Sequence, residues 1–191
     1  SNKAGIGILN DAGNRGIWTD SNDFLLTTSY EGNSTVHMKI DTNGIITKPL
    51  QPAFWVRPAS TQSNFAADGS AVTVVWGTET FDINSDFASN TFTAPVTGKY
   101  FMHVRLNLQS VDSSASYYQV NIVTSNGSHT FIQDPRGMDQ DTNHTVFNVT
   151  AVTDMDASDT ATITIIQPNG TAQTDIIHTS SYSSWYGYLL G

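Results

Sequence analysis

The stretch FTAPVTGKYFMHVRL occupies positions 92–106 and decides how the surrounding sequence is interpreted. Its first half contains Pro95 and Gly98, which favour a bend in the backbone. Its second half alternates apolar and polar residues, a period of two that is typical of a strand with one buried face. The stretch therefore predicts a turn that leads into a strand at 99–110.

Strand signals of the same kind recur from Ala53 to the end of the chain. In TATITIIQ, Ala161, Ile163 and Ile165 alternate with threonines, which predicts a half-buried strand. Turn sequences such as SNGS, DPRG and QPNG separate the segments. About ten strands in such a length indicate a two-sheet sandwich or jelly roll. The expected strands lie at 53–57, 72–76, 79–83, 90–93, 99–110, 116–124, 128–133, 144–153, 160–167, 174–179 and 183–190.

The composition favours strands and turns and argues against several functions. Ser, Thr, Asn and Asp are abundant and no window has the apolar period of a capped helix, so we expect an all-β protein. A net charge of −9 with only 8 Lys and Arg argues against a nucleic-acid partner, which requires a basic face. The lack of cysteine excludes disulfides and a thiol nucleophile. No apolar stretch approaches membrane-spanning length, so we expect no membrane insertion.

The first part of the chain differs from the rest in the length and apolar content of its strands. Prolines 49, 52 and 58 mark a boundary between residues 1–48 and residues 49–191. Each strand signal in 1–48 has only two or three large apolar residues, too few to offset chain entropy alone. This segment must therefore pack on the later domain or share a core with copies of itself. We favour the second alternative, a β-rich, intertwined trimeric neck.

The opening stretch resembles the most characteristic segment of the globular head of complement C1q and its relatives, which share a jelly roll with tumour necrosis factor. In that family a phenylalanine is followed six residues later by glycine and then, two further on, by tyrosine. Here these residues are Phe92, Gly98 and Tyr100. The two aromatic residues would fill core positions while Pro95 and Gly98 shape the bend. Met102 stands where the family usually has a second phenylalanine.

Other segments resemble the same family in the same order over residues 52–191. PAFWV at 52–56 resembles its opening strand, and VVWGTETFDINSDF at 74–87 resembles the strand and loop before the phenylalanine, with Phe81 and Phe87 as expected core residues. The remaining matches are YYQVNIVTSNG at 117–127, MDASDTATITI at 155–165 and SSWYGYLLG at 183–191. The resemblance implies a C1q/TNF-like, ten-stranded jelly-roll sandwich.

Residues 1–48 depart from the family because they lack the Gly-X-Y period of a collagen stalk. The junction DTNGIITKPLQPAFWV looks instead like those of viral and bacteriophage fibre proteins, in which a short β-rich neck leads into a C1q-like tip. Family members form trimers whose closing strands lie near the threefold axis. This implies a homotrimer with interface residues among Trp185, Tyr186 and Tyr188; the alternative is that all three belong to the core of one chain.

The leading functional hypothesis is a receptor-binding tip of a trimeric viral tail fibre. It would recognise a host cell-surface glycan or protein, and it would be located in the virion or outside the cell. Three weak contacts to a repetitive surface add by avidity, and loops commonly carry such specificity. The candidate loops span 110–117, 133–143 and 167–175. The candidate ligand-binding residues are Tyr117, Arg136, Asp139, Gln140 and Asn143.

Three alternatives remain beside this hypothesis. The loops could be ordinary solvated loops of a trimerisation and folding cap that binds no ligand. Catalysis is not expected, because the acidic cluster Asp154, Asp156 and Asp159 lies in a turn typical of the family. No cofactor is expected, although DQD at 139–141 and DMDASD at 154–159 could offer oxygen ligands to calcium. A histidine on a threefold axis would also occur three times, so an axial metal site stays open.

Overall fold

A computed structural model describes residues 3–8, 15–20, 22–28, 35–179 and 182–191 of the chain. Within these residues the elements are strands and two short 3-10 turns, Ile83–Ser85 and Pro135–Gly137. The chain divides into two compact units, Ser1–Gln51 and Pro52–Gly191. We call them the neck and the head.

The neck is one antiparallel sheet in which each strand pairs with the next one along the chain. Its buried residues in the described ranges are Gly16 and Thr27. The turn at DTNG, residues 41–44, is held by Asp41, whose Oδ1 accepts hydrogen bonds from the N–H groups of Asn43 and Ile45 at 2.8 and 2.9 Å. The sequences NDAGN at 10–14 and YEGNS at 30–34 also predict turns, and they lie outside the described residues. The strands are β1 (Lys3–Ile8), β2 (Arg15–Asp20), β3 (Asp23–Thr27), β4 (Val36–Ile40) and β5 (Ile46–Thr47).

The head consists of two six-stranded sheets that enclose the core. Its strands are β6 (Ala53–Arg57), β7 (Val72–Thr73), β8 (Thr78–Asp82), β9 (Phe87–Ala88), β10 (Thr91–Thr93), β11 (Gly98–Gln109), β12 (Tyr118–Thr124), β13 (Gly127–Gln133), β14 (Thr145–Met155), β15 (Thr160–Ile166), β16 (Asp175–Ile176) and β17 (Ser184–Leu189). One sheet has the order β13-β12-β15-β10-β9, with β7 beside β15. The other has the order β14-β11-β17-β6-β8, with β16 beside β11. Eleven of the twelve strands overlap the ranges expected from the sequence, and the additional one is the two-residue strand β9.

Alternation places one face of each long strand in the core. In β15, Ala161, Ile163 and Ile165 are buried while the threonines between them are exposed or half-buried, which confirms the predicted pattern. β11 pairs with β14 along eleven residues and with β17 along six, so it lies inside its sheet and not at an edge. Burial of these inner faces supplies the main driving force for folding of the head.

The opening stretch forms the predicted turn and strand. Phe92 and Tyr100 are fully buried, with ring centroids 5.4 Å apart, and the Tyr100 hydroxyl donates to the Val96 carbonyl at 2.7 Å. Met102 is also fully buried. A Cβ at Gly98 would lie 2.7 Å from Cδ1 of Leu189, so the glycine allows close packing of the chain end. The segment therefore closes the core at one end of the sandwich.

Two local predictions were wrong in detail. The strand expected at 72–76 pairs only over Val72–Thr73, because the N–H groups of Val75 and Trp76 donate instead to the side chains of Gln62 and Asn90, at 2.8 and 2.7 Å. Phe81 is not a core residue. It is 45% exposed because it lies opposite Trp55 on the outer face of its sheet, whereas Phe87 is buried as expected.

Candidate functional site

Three loops meet at one end of the head, and we call this region the loop end. It comprises the segments 110–117, 134–144 and 167–174, which follow β11, β13 and β15. Asp141 connects all three: its Oδ1 accepts from the N–H and the hydroxyl of Ser113 at 2.9 and 2.8 Å, and its Oδ2 accepts from the Gln173 amide at 2.7 Å. These bonds, led by the Ser113 N–H, lower the pKa of the Asp141 carboxyl.

A second carboxylate fixes the inner part of the loop end. The buried Asp112 accepts from the N–H and hydroxyl of Ser114 at 2.7 and 2.6 Å and from the N–H of Thr171. Burial alone would raise the pKa of Asp112, but these hydrogen bonds to its charged form outweigh it, and its pKa lies below the ordinary value. Gly170 has φ +81°, and a Cβ there would lie 2.5 Å from Asp112 Oδ2. The loop end is thus a rigid, hydrogen-bonded frame.

The five loop residues singled out in the sequence lie on or beside this frame. Asp139, Gln140 and Asn143 are exposed, and Tyr117 is half-buried. Arg136 is exposed and engages Asp134 in two bonds, Nε to Oδ1 at 2.9 Å and Nη2 to Oδ2 at 2.6 Å. The guanidinium lowers the pKa of Asp134 to about 2. Their role in ligand binding stays a prediction.

The residues that build the frame were not identified in the sequence. Asp112, Asp141 and Gln173 look like ordinary polar loop residues there, and their partners in the other loops lie 28 to 63 positions away. A weak signal was available in Gly170, which follows Asn169 in QPNG and therefore favours a left-handed turn.

The outer face of the β14-β11-β17-β6-β8 sheet carries a second unusual feature, a set of aromatic side chains. Phe81 pairs with Trp55, Trp55 with Tyr186, and Tyr186 with His103 across four neighbouring strands. One step away, Tyr188 pairs with Phe101, and their rings stack 5.1 Å apart. We define the aromatic face as these six residues: Trp55, Phe81, Phe101, His103, Tyr186 and Tyr188.

The aromatic face is accessible over much of its area. Tyr186 is 36% exposed and Tyr188 is 43% exposed, comparable with Phe81. A shallow groove of about 320 Å³ runs between Trp55, Phe81, Tyr186 and Tyr188. Gly187 faces the core, where a Cβ would lie 2.9 Å from the Phe54 ring, so the glycine lets the core ring lie directly under the groove. Exposed aromatic surface of this kind favours association with a partner.

His103 contributes an aromatic ring to this face. Its ring centroid lies 5.0 Å from that of Tyr186, and Nδ1 is 2.8 Å from the Thr150 hydroxyl. Burial, with a smaller effect from Arg105, lowers its pKa below the usual 6.5. The imidazole is therefore largely neutral at pH 7 and adds little charge to the aromatic face.

The three aromatic residues predicted for the trimer interface occupy two different environments. Trp185 has no exposed surface, and its ring lies 4.9 Å from that of Phe54 and 5.5 Å from that of Phe87. It is a core residue of one chain, because its side chain points to the inner face of β17. Tyr186 and Tyr188 lie on the outer face, and their place in an interface stays a prediction.

In the segment 154–159, one of the two considered for calcium, a carboxylate oxygen of Asp159 is engaged in hydrogen bonds. Asp159 Oδ2 accepts from the Asn126 amide and from the Asp156 N–H, both at 2.8 Å. Among the residues that the structure describes, no three His, Asp or Glu side chains are grouped so as to hold a metal ion. A metal shared between chains would have to use groups from several copies.

In the described part of the chain there is no helix with the length and apolarity needed to span a membrane. No protein-family model matches the sequence, and no curated protein sequence matches it either.

Solved structures similar to this chain share its fold. The globular domain of the zebrafish complement 1qA protein is 16% identical, with a TM-score of 0.53, and the match covers 74% of this chain and 98% of that one. Murine APRIL, in a crystal structure at pH 8.0, is 12% identical, with a TM-score of 0.53 and coverage of 73% and 99%. These likenesses confirm the predicted C1q/TNF-like jelly roll.

Proposed function

We propose that this chain is the receptor-binding tip of a trimeric viral tail fibre, which attaches the virion to a host-surface glycan or protein. The observation that carries the proposal is the aromatic face. These six aromatic rings lie on the outer side of a sheet whose inner side faces the core, so they are available to a partner.

Copies of the same chain are the partner that best fits this face. The C1q/TNF-like fold supports a trimer, since the family that the sequence resembles forms trimers around the corresponding closing strand. Tyr186 and Tyr188 lie on that strand, β17, with their rings outward. A threefold arrangement would bury the same apolar surface of each copy. The net charge of −9 per chain opposes association in general, so contact is expected where the surface is uncharged.

Trimerisation would give the loop end its function. Three loop ends on one particle can contact a repetitive surface at the same time, so weak individual contacts add by avidity. The frame made by Asp112 and Asp141 holds the loop backbones, while Asp139, Gln140 and Asn143 remain exposed for contacts. A pre-ordered loop loses little entropy on binding, which favours affinity.

The alternative is a trimerisation and folding cap that binds no ligand. The dense hydrogen bonding within the loop end favours it, because Asp141, Ser113 and Gln173 use their polar groups on one another. Both candidates are non-catalytic and extracellular or virion-associated, and neither requires a cofactor.

Light scattering on the purified chain tests the trimer. We expect three times the chain mass of 20.7 kDa. Tyr188→Asp should give a monomer, because it places three carboxylates in a shared apolar contact. The matched control is Ile132→Asp on the other sheet, where the isoleucine is 57% exposed and the trimer should persist. A wild-type monomer would overturn the proposal.

A glycan array separates the two candidates once the trimer is established. We expect the wild-type trimer to bind a subset of glycans or intact host cells, and the triple variant Asp139→Ala, Gln140→Ala, Asn143→Ala to lose binding while remaining trimeric. A trimer that binds neither glycans nor host cells supports the cap instead.

A further inference from the structure

The neck sheet has two faces of different chemistry, and strand register defines which residues share each face. Ile6 pairs with Ile17, Ile17 with Leu26, and Leu26 with Met38. Because side chains alternate along a strand, residues two positions away lie on the same side. The next row on that side is Ala4, Thr19, Phe24, Ile40 and Ile46. We call these two rows the apolar neck face.

Most charged and glycine positions lie on the opposite face; Arg15, in the row beyond Ile17, lies on the same side as the two apolar rows. On the opposite face Trp18 covers Gly5, since a Cβ at Gly5 would lie within 2.2 Å of the indole ring, and Lys39 forms an ion pair with Asp23. Asp20 shares this side with Trp18. The two rows of the apolar neck face contain no charged residue, and their most polar member is Thr19.

The apolar neck face is open to solvent in a single chain. Ile6 is 69% exposed, Ile46 57%, and Ile17 and Phe24 each 37%. A sheet with one apolar face gains stability when that face packs on another layer. The neck therefore presents one side of a hydrophobic core, and a second layer is needed to complete it.

We infer that the apolar neck face is a second self-association surface, on which three copies of this chain pack their neck sheets against one another as the sides of a triangular prism. This inference rests on the proposed trimer. Each copy contributes a whole sheet to the shared core, since β1 to β5 already pair within one chain.

Identical copies fit this face better than a foreign partner for two reasons. First, the two rows are uncharged, so the contact made by these rows brings no like charges together although each chain carries a net charge of −9, and Arg15 lies in the row beyond them. Second, each neck is joined to its head through the short segment 48–52, so a trimer of heads holds three necks at a high effective concentration, on the order of millimolar.

The size of the face explains why it would act together with the head. Five strands about 4.8 Å apart span about 19 Å, and two rows on one side lie about 7 Å apart. This area is well below the roughly 800 Å² per partner of a stable independent interface. The neck contact is thus too small to form a lasting assembly alone, and the heads supply the missing proximity.

Single cysteines test the inference cleanly because the chain has none of its own. Leu26→Cys places a thiol on the apolar neck face of the central strand, and Leu25→Cys, the adjacent leucine, places one on the opposite face. The full-length variants would be treated with a short bis-maleimide and separated on a denaturing gel. We expect most Leu26→Cys chains to appear as covalent dimers and the Leu25→Cys chains to stay single.

Light scattering on the same samples distinguishes a failure of the neck inference from a failure of the proposed trimer. A trimer in which Leu25→Cys cross-links as well as Leu26→Cys, or in which neither does, overturns the neck inference and leaves the proposed trimer standing. A wild-type monomer overturns both.

Hydrogen exchange provides a second measurement with a matched pair on β5. Ile46→Glu lies on the apolar neck face and Thr47→Glu on the other. Ile46 would be buried in the proposed trimer of necks. Its replacement by Glu should therefore speed hydrogen exchange of the β4 amides by about tenfold. The Thr47→Glu chain should exchange like wild type. Equal protection in both variants would contradict the inference.

Discussion

The neck and the head are both built from antiparallel strands, but only the head completes a core of its own. The head folds two six-stranded sheets over each other, and its core includes Phe54, Phe92, Tyr100 and Trp185 with at most 1% exposure. The neck is one layer in which only Gly16 and Thr27 of the described residues are buried. The difference shows that alternation in a strand creates a buried face only when a second layer covers it.

The largest expected effect tests whether the stability of the head comes from its own core and does not depend on the neck. Trp185→Ala should lower the free energy of unfolding of the head by about 3–5 kcal/mol, because it removes a ring that packs on Phe54 and Phe87 and leaves a cavity. Urea denaturation followed by circular dichroism measures this change.

The matched control for that prediction is Trp18→Ala in the neck. This indole is half-buried over Gly5, and its loss should move the head transition by less than about 0.5 kcal/mol. If both substitutions lowered the free energy of unfolding of the head equally, the two units would not unfold independently. The difference in self-sufficiency between neck and head would then be contradicted.

An intermediate effect on stability is expected at the loop end, where Gly170 packs closely against Asp112. Gly170→Ala should lower the free energy of unfolding by about 1–3 kcal/mol, because the position has φ +81° and its Cβ would press on Asp112. Gly69→Ala is the control for backbone strain alone, since it has φ +83° but its Cβ would meet Pro168 at an ordinary 3.6 Å. The same denaturation experiment should rank Gly170→Ala as the more harmful; the reverse order would contradict a tight frame.

The smallest expected effect is the response of the head to acid. The pKa values of Asp112 and Asp141 are lowered in the folded chain, so each contributes stability above its unfolded pKa of about 3.9, and this stability is lost as pH falls through the lower folded value. The free energy of unfolding should therefore decline from about pH 4 downward. Asp112→Asn should flatten that decline, and the exposed Asp139→Asn controls for the change in net charge. An unchanged slope in Asp112→Asn would contradict the frame described here.

Much of the head could be predicted from sequence because its signals are local or repeated in order. The spacing of Phe92, Gly98 and Tyr100 identified a turn and strand, and these residues occupy the core and the bend as expected. The alternation in β15 was equally clear. β9 was missed because a pair as short as Phe87–Ala88 has no period to detect.

The loop end could be predicted only as three loops. The chain is so rich in Asp, Ser, Asn and Thr that Asp141 does not differ locally from Asp139. Both are exposed, yet Asp141 accepts hydrogen bonds from two other loops. That distinction depends on where distant loops come together in space, which local patterns do not encode. Phe81 was misassigned for a related reason: aromatic residues on the outer and inner faces of a sheet look alike in sequence.

The bracing by Asp112 and Asp141 has a consequence for how this surface could change. The loops are held together by hydrogen bonds to the carboxylates of Asp112 and Asp141, while the side chains at 139, 140 and 143 take no part in those bonds. New residues at those three positions would therefore inherit a loop shape that does not depend on them. The head could therefore serve as a scaffold for display libraries. Residues 139, 140 and 143 would be varied to select new binding, while the loop backbones keep their conformation.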